Sequence, residues 1–182
     1  MDLRQQLLAL PEDPPDFKKL PRDIRYLMGC RSPKQFSSTL AALVDPRKHC
    51  PFCPGSESFK LPIEACSHWH LRANDFPPDG VERAMLIVPN RHVERVTELD
   101  GDDWEQFGHL VRIAVTKHGV DAGGFMGRFG DPLLHSGTIP HFHINLMKPT
   151  GNEAVRFTLS KASEDREKNY RRLLLHVKEV LG

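Results

Sequence analysis

The chain has 182 residues and lacks several features that would place it quickly. It lacks a charge surplus. Net charge is +1 at pH 7, so no strong field favours nucleic acid or a membrane surface. It lacks any apolar run near the roughly 20 residues needed to cross a bilayer. It lacks internal repeats and low-complexity tracts. Residues 1–10 mix charges and glutamines with leucines and are too polar for a signal peptide. Cysteine is sparse, at four: Cys30, Cys50, Cys53 and Cys66. Together these absences predict a cytoplasmic protein with no membrane or nucleic-acid partner. The length suits one domain with a full core and an extra terminal element.

What is present is histidine. There are ten, and several fall in patterned places. The densest pattern is Gly137-Thr138-Ile139-Pro140-His141-Phe142-His143-Ile144-Asn145-Leu146-Met147. Polar and apolar residues alternate over 141–147, the period of a strand with one buried face. Phe142, Ile144 and Leu146 are expected in a core. His141, His143 and Asn145 then share the other face. Such a polar row can bind a metal, grip a phosphate, or supply a nucleophile with its supports.

Other stretches can be ordered around this one. Residues 2–10 suit a short amphipathic helix, and 36–44 one or two helical turns. Residues 11–35, rich in proline and charge, read as an irregular surface arm. Cys50-Pro51-Phe52-Cys53-Pro54-Gly55 holds two thiols at chelating separation in a turn, and zinc is the usual partner. A redox pair would be expected before a helix, and no helix signal follows. Two donors are too few, and later histidines could complete the set. His68 and His70 alternate with Trp69 and Leu71 and read as solvent-facing strand positions. Asn74, Asp75 and Phe76 end that strand and suit a nucleoside, the ring covering a base and the acceptors binding ribose hydroxyls.

Residues 84–88 form a fully apolar run, hence a central strand. His92 follows its end, aimed at the cysteine pair. A helix runs from Asp100 to His118, with Trp104, Phe107, Val111, Ala114 and Val115 as its apolar stripe. Residues 123–130 form a glycine-rich strand, where glycine marks close approach of a ligand or of backbone. Ser136, Gly137 and Thr138 offer hydroxyls and open N–H groups to an anion. A strand over 155–160 and a final helix packed through Tyr170, Leu173 and Val177 complete an α+β chain with a mainly antiparallel sheet.

His141-Phe142-His143-Ile144-Asn145 resembles the motif strand of the histidine triad (HIT) superfamily. Pro89-Asn90-Arg91-His92 resembles its strand-end Pro-x-x-His. The Cys50–Cys53 clip and Asn74-Asp75-Phe76 look most like the galactose-1-phosphate uridylyltransferase branch. The match covers about residues 48–150. The resemblance implies a five-stranded antiparallel HIT-like sheet with a long packed helix and a C-terminal helix. It divides the chain into an arm over 1–47 and a HIT-like domain over 48–182. It also implies that His143 attacks the α-phosphorus of a nucleotide or nucleotide sugar, giving a nucleotidyl-histidine intermediate.

The resemblance further implies a structural zinc on Cys50, Cys53, His92 and His141. Asn74, Asp75 and Phe76 become nucleoside contacts, with Ser136, Gly137 and Thr138 at the phosphate. It implies a homodimer as well. The family's third histidine is Asn145 here. A carboxamide can hydrogen-bond a phosphoryl oxygen but cannot donate a proton as imidazolium does. That favours a nucleotidyltransferase or phosphorylase. The alternatives are a HIT hydrolase of dinucleoside polyphosphates or nucleoside phosphoramidates, a zinc-stapled nucleotide-binding module without turnover, and a metallohydrolase with a metal on both His141 and His143.

Overall fold

The computed structural model describes residues 1–135, 137–156, 159 and 163–182. Its sheet has five strands: β1 (Glu64–Ala65), β2 (Trp69–Ala73), β3 (Val81–Pro89), β4 (Gly124–Gly127) and β5 (Ile144–Pro149). Their spatial order is β1-β2-β3-β5-β4, and every neighbouring pair is antiparallel. The class is α+β, as the pattern predicts.

The apolar run becomes central strand β3, paired with β2 on one side and β5 on the other. Its two faces are both covered. Met85 and Ile87 join Trp69, Leu71, Ile144 and Leu146 beneath a long helix. Leu86 and Val88 join Cys50 and Phe52 on the opposite face. Period-two alternation thus puts Phe142, Ile144 and Leu146 in one core and frees the other face for the polar row.

The long helix is α5 (Gly101–Lys117), after four earlier helices: α1 (Leu3–Leu8), α2 (Arg22–Leu27), α3 (Pro33–Val44) and α4 (Pro46–His49). Asp100 and Asp103 close a capping box at the α5 N-terminus. The buried face of α5 is Asp103, Phe107, Leu110 and Ala114. That differs from the expected stripe, since Trp104 and Val115 are 41% and 40% exposed. Asp103 sets the rotation. Its carboxylate accepts from Arg91 Nη2 at 2.6 Å and the Asp100 N–H at 3.0 Å. The helix therefore turns that acidic position inward.

The expectation of an irregular surface arm is corrected. Leu7, Ile24, Leu27, Phe36 and Leu40 share a second core with Tyr170, Leu173 and Val177 of α6 (Ser163–Leu181). Prolines here start helices rather than only stopping chains. Pro33 and Pro46 open α3 and α4, where a missing N–H costs nothing. Ser32 and Asp45 cap those two helices. The expected boundary after residue 47 is crossed by this core, because α6 packs back onto the N-terminal helices. Val155 and Arg156 are not in the sheet, and 157, 158 and 160 of the expected last strand lie outside the described residues. Among the described residues no helix is long and apolar enough to cross a membrane.

Candidate functional site

The cysteine clip follows α4 and folds over the polar face of the sheet. It brings Cys50, Cys53, His92 and His141 together, with their ligand atoms all within 4.8 Å of one another. Cys50 Sγ is 3.3 Å from His141 Nδ1, and Cys53 Sγ is 3.3 Å from His92 Nδ1 and 3.5 Å from His141 Nδ1. Bonds of about 2.0–2.3 Å to a tetrahedral ion give ligand–ligand edges of about 3.5 Å, so this donor set fits zinc. His141 Nε2–H donates to the Pro89 carbonyl at 3.0 Å. That bond fixes the tautomer and leaves Nδ1 as the ligand atom. The hydrogen bond with Cys53 holds the Cys50 thiol well below its ordinary range, and the same contact pushes Cys53 up. The pairing favours one thiolate in the clip, and a divalent cation would displace the remaining proton.

His143 stands outside this set. Its Nδ1–H donates to the His141 carbonyl at 2.9 Å, so Nε2 carries the lone pair. The residue as a whole is half-buried. Phe52 packs on it at a centroid distance of 5.0 Å and on His141 at 5.7 Å. Burial pushes the His143 pKa down to about 4, and Arg128, His141 and His135 push the same way. The ring is neutral at pH 7. It opens on a hollow walled also by Arg128, Phe129, His135 and Gly137.

The structure joins Asn145 to the Asn74-Asp75-Phe76 turn. Asn74 Nδ2 donates to Asn145 Oδ1 at 3.4 Å, and Asn145 Nδ2 donates to the Met126 carbonyl at 3.5 Å. The Asn74 oxygen accepts from the Phe76 N–H at 2.9 Å, and the Phe76 ring is 68% exposed. Asp75 pairs with Lys60 at 2.8 Å and Arg72 at 3.0 Å. Arg72 also donates to the Pro51 carbonyl at 2.7 Å, tying this turn to the cysteine clip.

The expected anion cradle is arranged differently. The Gly137 N–H donates to His135 Nδ1 at 2.9 Å, and Thr138 Oγ1 accepts from Gln35 at 3.3 Å. Ser136 lies outside the described residues. The glycines near β4 serve neighbouring protein. A Cβ at Gly123, whose φ is 141°, would sit 1.9 Å from the Met147 carbonyl oxygen. A Cβ at Gly127 would sit 2.9 Å from the Phe142 ring.

The reading of His70 as solvent-facing is corrected. It is 1% exposed, donates Nδ1–H to Asn90 Oδ1 at 2.9 Å and meets the Phe59 ring at 5.3 Å. Alternation gave its face correctly. The loop after Cys50 covers that face, and alternation carries no record of a covering loop. His68 keeps a 36% exposed side chain, as expected, and reaches Asp103 Oδ1 at 3.0 Å. Arg72, Arg128 and His135 went unmarked in the sequence. Arg72 had a signal, since it shares the His70 face of β2. Arg128 and His135 had none, because they converge only through the loop after β4.

No protein-family model matches the chain, and no curated protein sequence matches it. Among solved structures it is similar to a histidine triad nucleotide-binding protein from Candida albicans, at 14% identity and TM-score 0.44, covering 68% of this chain and 92% of that one. It is similar to a zinc-bound histidine triad family protein from Mycobacterium smegmatis, at 11% identity and TM-score 0.41, covering 64% and 85%. It is also similar to a diadenosine triphosphate hydrolase from Plasmodium falciparum, at 14% identity and TM-score 0.39, covering 70% and 89%.

Proposed function

We propose that the chain is a HIT-superfamily enzyme that transfers a nucleoside monophosphate through His143. The observation that carries this reading is the tautomer of one ring. His143 Nδ1–H is held by the His141 carbonyl, so Nε2 is the unprotonated nitrogen at neutral pH, on a residue that lines the hollow. A neutral imidazole is a good nucleophile toward phosphorus.

Nε2 attacks the α-phosphorus, and the P–O bond to the leaving phosphate breaks with its electron pair. The ring keeps its Nδ1 proton and carries the nucleotidyl group as a cation. The His141 carbonyl oxygen, 2.9 Å from Nδ1, stabilises that charge as it forms. An acceptor oxygen then attacks phosphorus, the P–N bond breaks, and the pair returns to Nε2. A phosphate leaving group needs no proton, so the carboxamide at 145 suffices. Asn145 hydrogen-bonds a phosphoryl oxygen, and Asn74, Asp75 and Phe76 hold the nucleoside. The same carboxamide cannot take a proton from water, which favours phosphate or a sugar phosphate as acceptor.

Cys50, Cys53, His92 and His141 hold a structural zinc in this reading. Four protein donors leave no open position on a tetrahedral ion. Zinc would supply no chemistry to the transfer; it would fix the clip and, through His141, the carbonyl that orients His143. A homodimer belongs to the same reading, with edge strand β4 and its exposed Phe125 as the pairing edge.

Labelled nucleoside triphosphates and dinucleoside polyphosphates, mixed with the protein and quenched in base, test this. An acid-labile adduct mapped to His143, and resolved faster by phosphate than by water, is expected. Nucleotide binding with no adduct would refute it.

A further inference from the structure

The helices outside the sheet build a second hollow beside the first. Its enclosed part is small, with room for about one or two waters, and the rest is open to solvent. Arg25 and Gly29 come from α2 and its end, His135 and Gly137 from the site loop, and Arg166 and Asn169 from α6. His135 and Gly137 also line the His143 hollow, so the two share a wall. One of the two guanidinium groups is paired: Arg25 meets Asp131 at 2.5 Å. His135 is neutral, pushed down by burial, and both its nitrogens are used, toward the Gly137 N–H and the Gly130 carbonyl. Arg166 Nη2 donates to the Leu133 carbonyl at 3.3 Å.

The donor balance is incomplete. Arg25 Nε and Arg166 Nε are both buried with no hydrogen-bond partner among the described residues. A buried unpaired donor on a cation is costly, and an acceptor-only anion answers it. Guanidinium groups match the oxygens of phosphate in geometry as well as charge.

We infer that this hollow is an acceptor subsite that binds a phosphate group between Arg25 and Arg166. The inference rests on the nucleotidyl-His143 reading for its role, though not for the binding itself. In that role a bound phosphate oxygen attacks the nucleotidyl phosphorus. The P–N bond breaks as the P–O bond forms, and the electron pair returns to Nε2. Inorganic phosphate yields a nucleoside diphosphate; a sugar phosphate yields a nucleotide sugar. No proton has to move, which suits a site whose motif strand ends in a carboxamide.

Isothermal titration of the full chain with inorganic phosphate, and in parallel with a hexose 1-phosphate, tests the site without any nucleotide. Arg25→Gln and Arg166→Gln should each weaken binding about tenfold or more, as loss of a charge-assisted bond implies. Lys168→Gln, exposed on the same helix, should bind as the native chain does. Asp131→Asn should bind several-fold more tightly, since it releases Arg25 while an amide oxygen can still accept from the Leu133 N–H. That variant gains function, so misfolding cannot mimic it. Arginine-dependent binding of either ligand upholds the site, and the tighter ligand names the acceptor. Absence of binding, or binding indifferent to Arg25, Arg166 and Asp131, overturns it. An adduct experiment that fails while arginine-dependent binding persists would sink the transfer reading and leave the anion site standing.

Discussion

His143→Ala and Cys50→Ser should fail in different ways, and the structure says by how much. Removing the imidazole at 143 takes the donor from the His141 carbonyl, 2.9 Å away. A partly buried acceptor left unpaired costs about 1–3 kcal/mol. The lost packing on Phe52, at 5.0 Å, adds about 0.5–1 kcal/mol. A total of about 1.5–4 kcal/mol lowers Tm by about 3–16 °C in a chain of this size. The four metal donors are untouched, so zinc should stay at one per chain. Adduct formation should vanish altogether, because no other imidazole shares that hollow with a free nitrogen. His141 has both nitrogens committed, and so has His135.

Cys50→Ser inverts the pattern. Serine is a poor zinc ligand beside a thiolate, so metal content should fall toward zero. The stability linked to metal then disappears. For free zinc about a thousandfold above Kd, that is about 4 kcal/mol, or a Tm loss of about 8–16 °C. Metal content by mass spectrometry, Tm by calorimetry, and adduct yield by phosphorus counting form the assay. Equal zinc loss in both variants, or a surviving adduct in His143→Ala, would refute the separation of a metal-holding His141 from a free His143.

Three further outcomes follow from single residues. Asn145→Asp should keep the fold, since Asn74 Nδ2 can still donate to the new carboxylate, and should cut kcat about 10²–10³-fold by repelling the phosphoryl oxygens; unchanged kcat in steady-state assays would remove residue 145 from the phosphate. His176, buried in the helical core with Nε2 unpartnered, has its pKa lowered first by burial and then by Arg172. The unfolded chain therefore binds more protons below about pH 6.5, so this stability is full above that value and is lost as pH falls through the folded pKa; His176→Leu should flatten the slope of urea-derived stability between pH 7 and 5, and an unaltered slope would count against it. Gly123→Ala, with φ at 141° and a Cβ forced to 1.9 Å from the Met147 carbonyl, should cost several kcal/mol and pull β5 out of register; a Tm within a degree of native would show that the loop shifts freely.

The parts of this molecule legible from sequence are those written in short periods. Alternation over 141–147 gave both faces of β5, although the ladder itself begins at Ile144. Residues 141–143 are held instead by the chain after β3, through Phe142 N–H to the Val93 carbonyl and His141 Nε2–H to the Pro89 carbonyl. A capping acid at 100 with more acids in the first turn gave the α5 start. What stayed hidden depends on contacts far apart in the chain. Proline and charge over 11–35 look alike in a surface arm and in short capped helices; only α6, about 140 residues later, shows which. The burial of His70 needs Phe59 and the clip loop above it.

The same distance explains why residues 1–47 gave no functional signal. Their contribution is made through tethers: Arg25 to Asp131 at 2.5 Å, Gln35 to Thr138 at 3.3 Å and Arg22 to Glu94 at 2.6 Å. Asp131 and Thr138 bracket the loop that walls the His143 hollow, and Glu94 stands on its other side. The N-terminal helices therefore set the shape of the loop beside His143. A sheet that carried the motif strand alone would hold the His143 tautomer, through the His141 carbonyl, and would leave the hollow beside it without its Tyr26 wall.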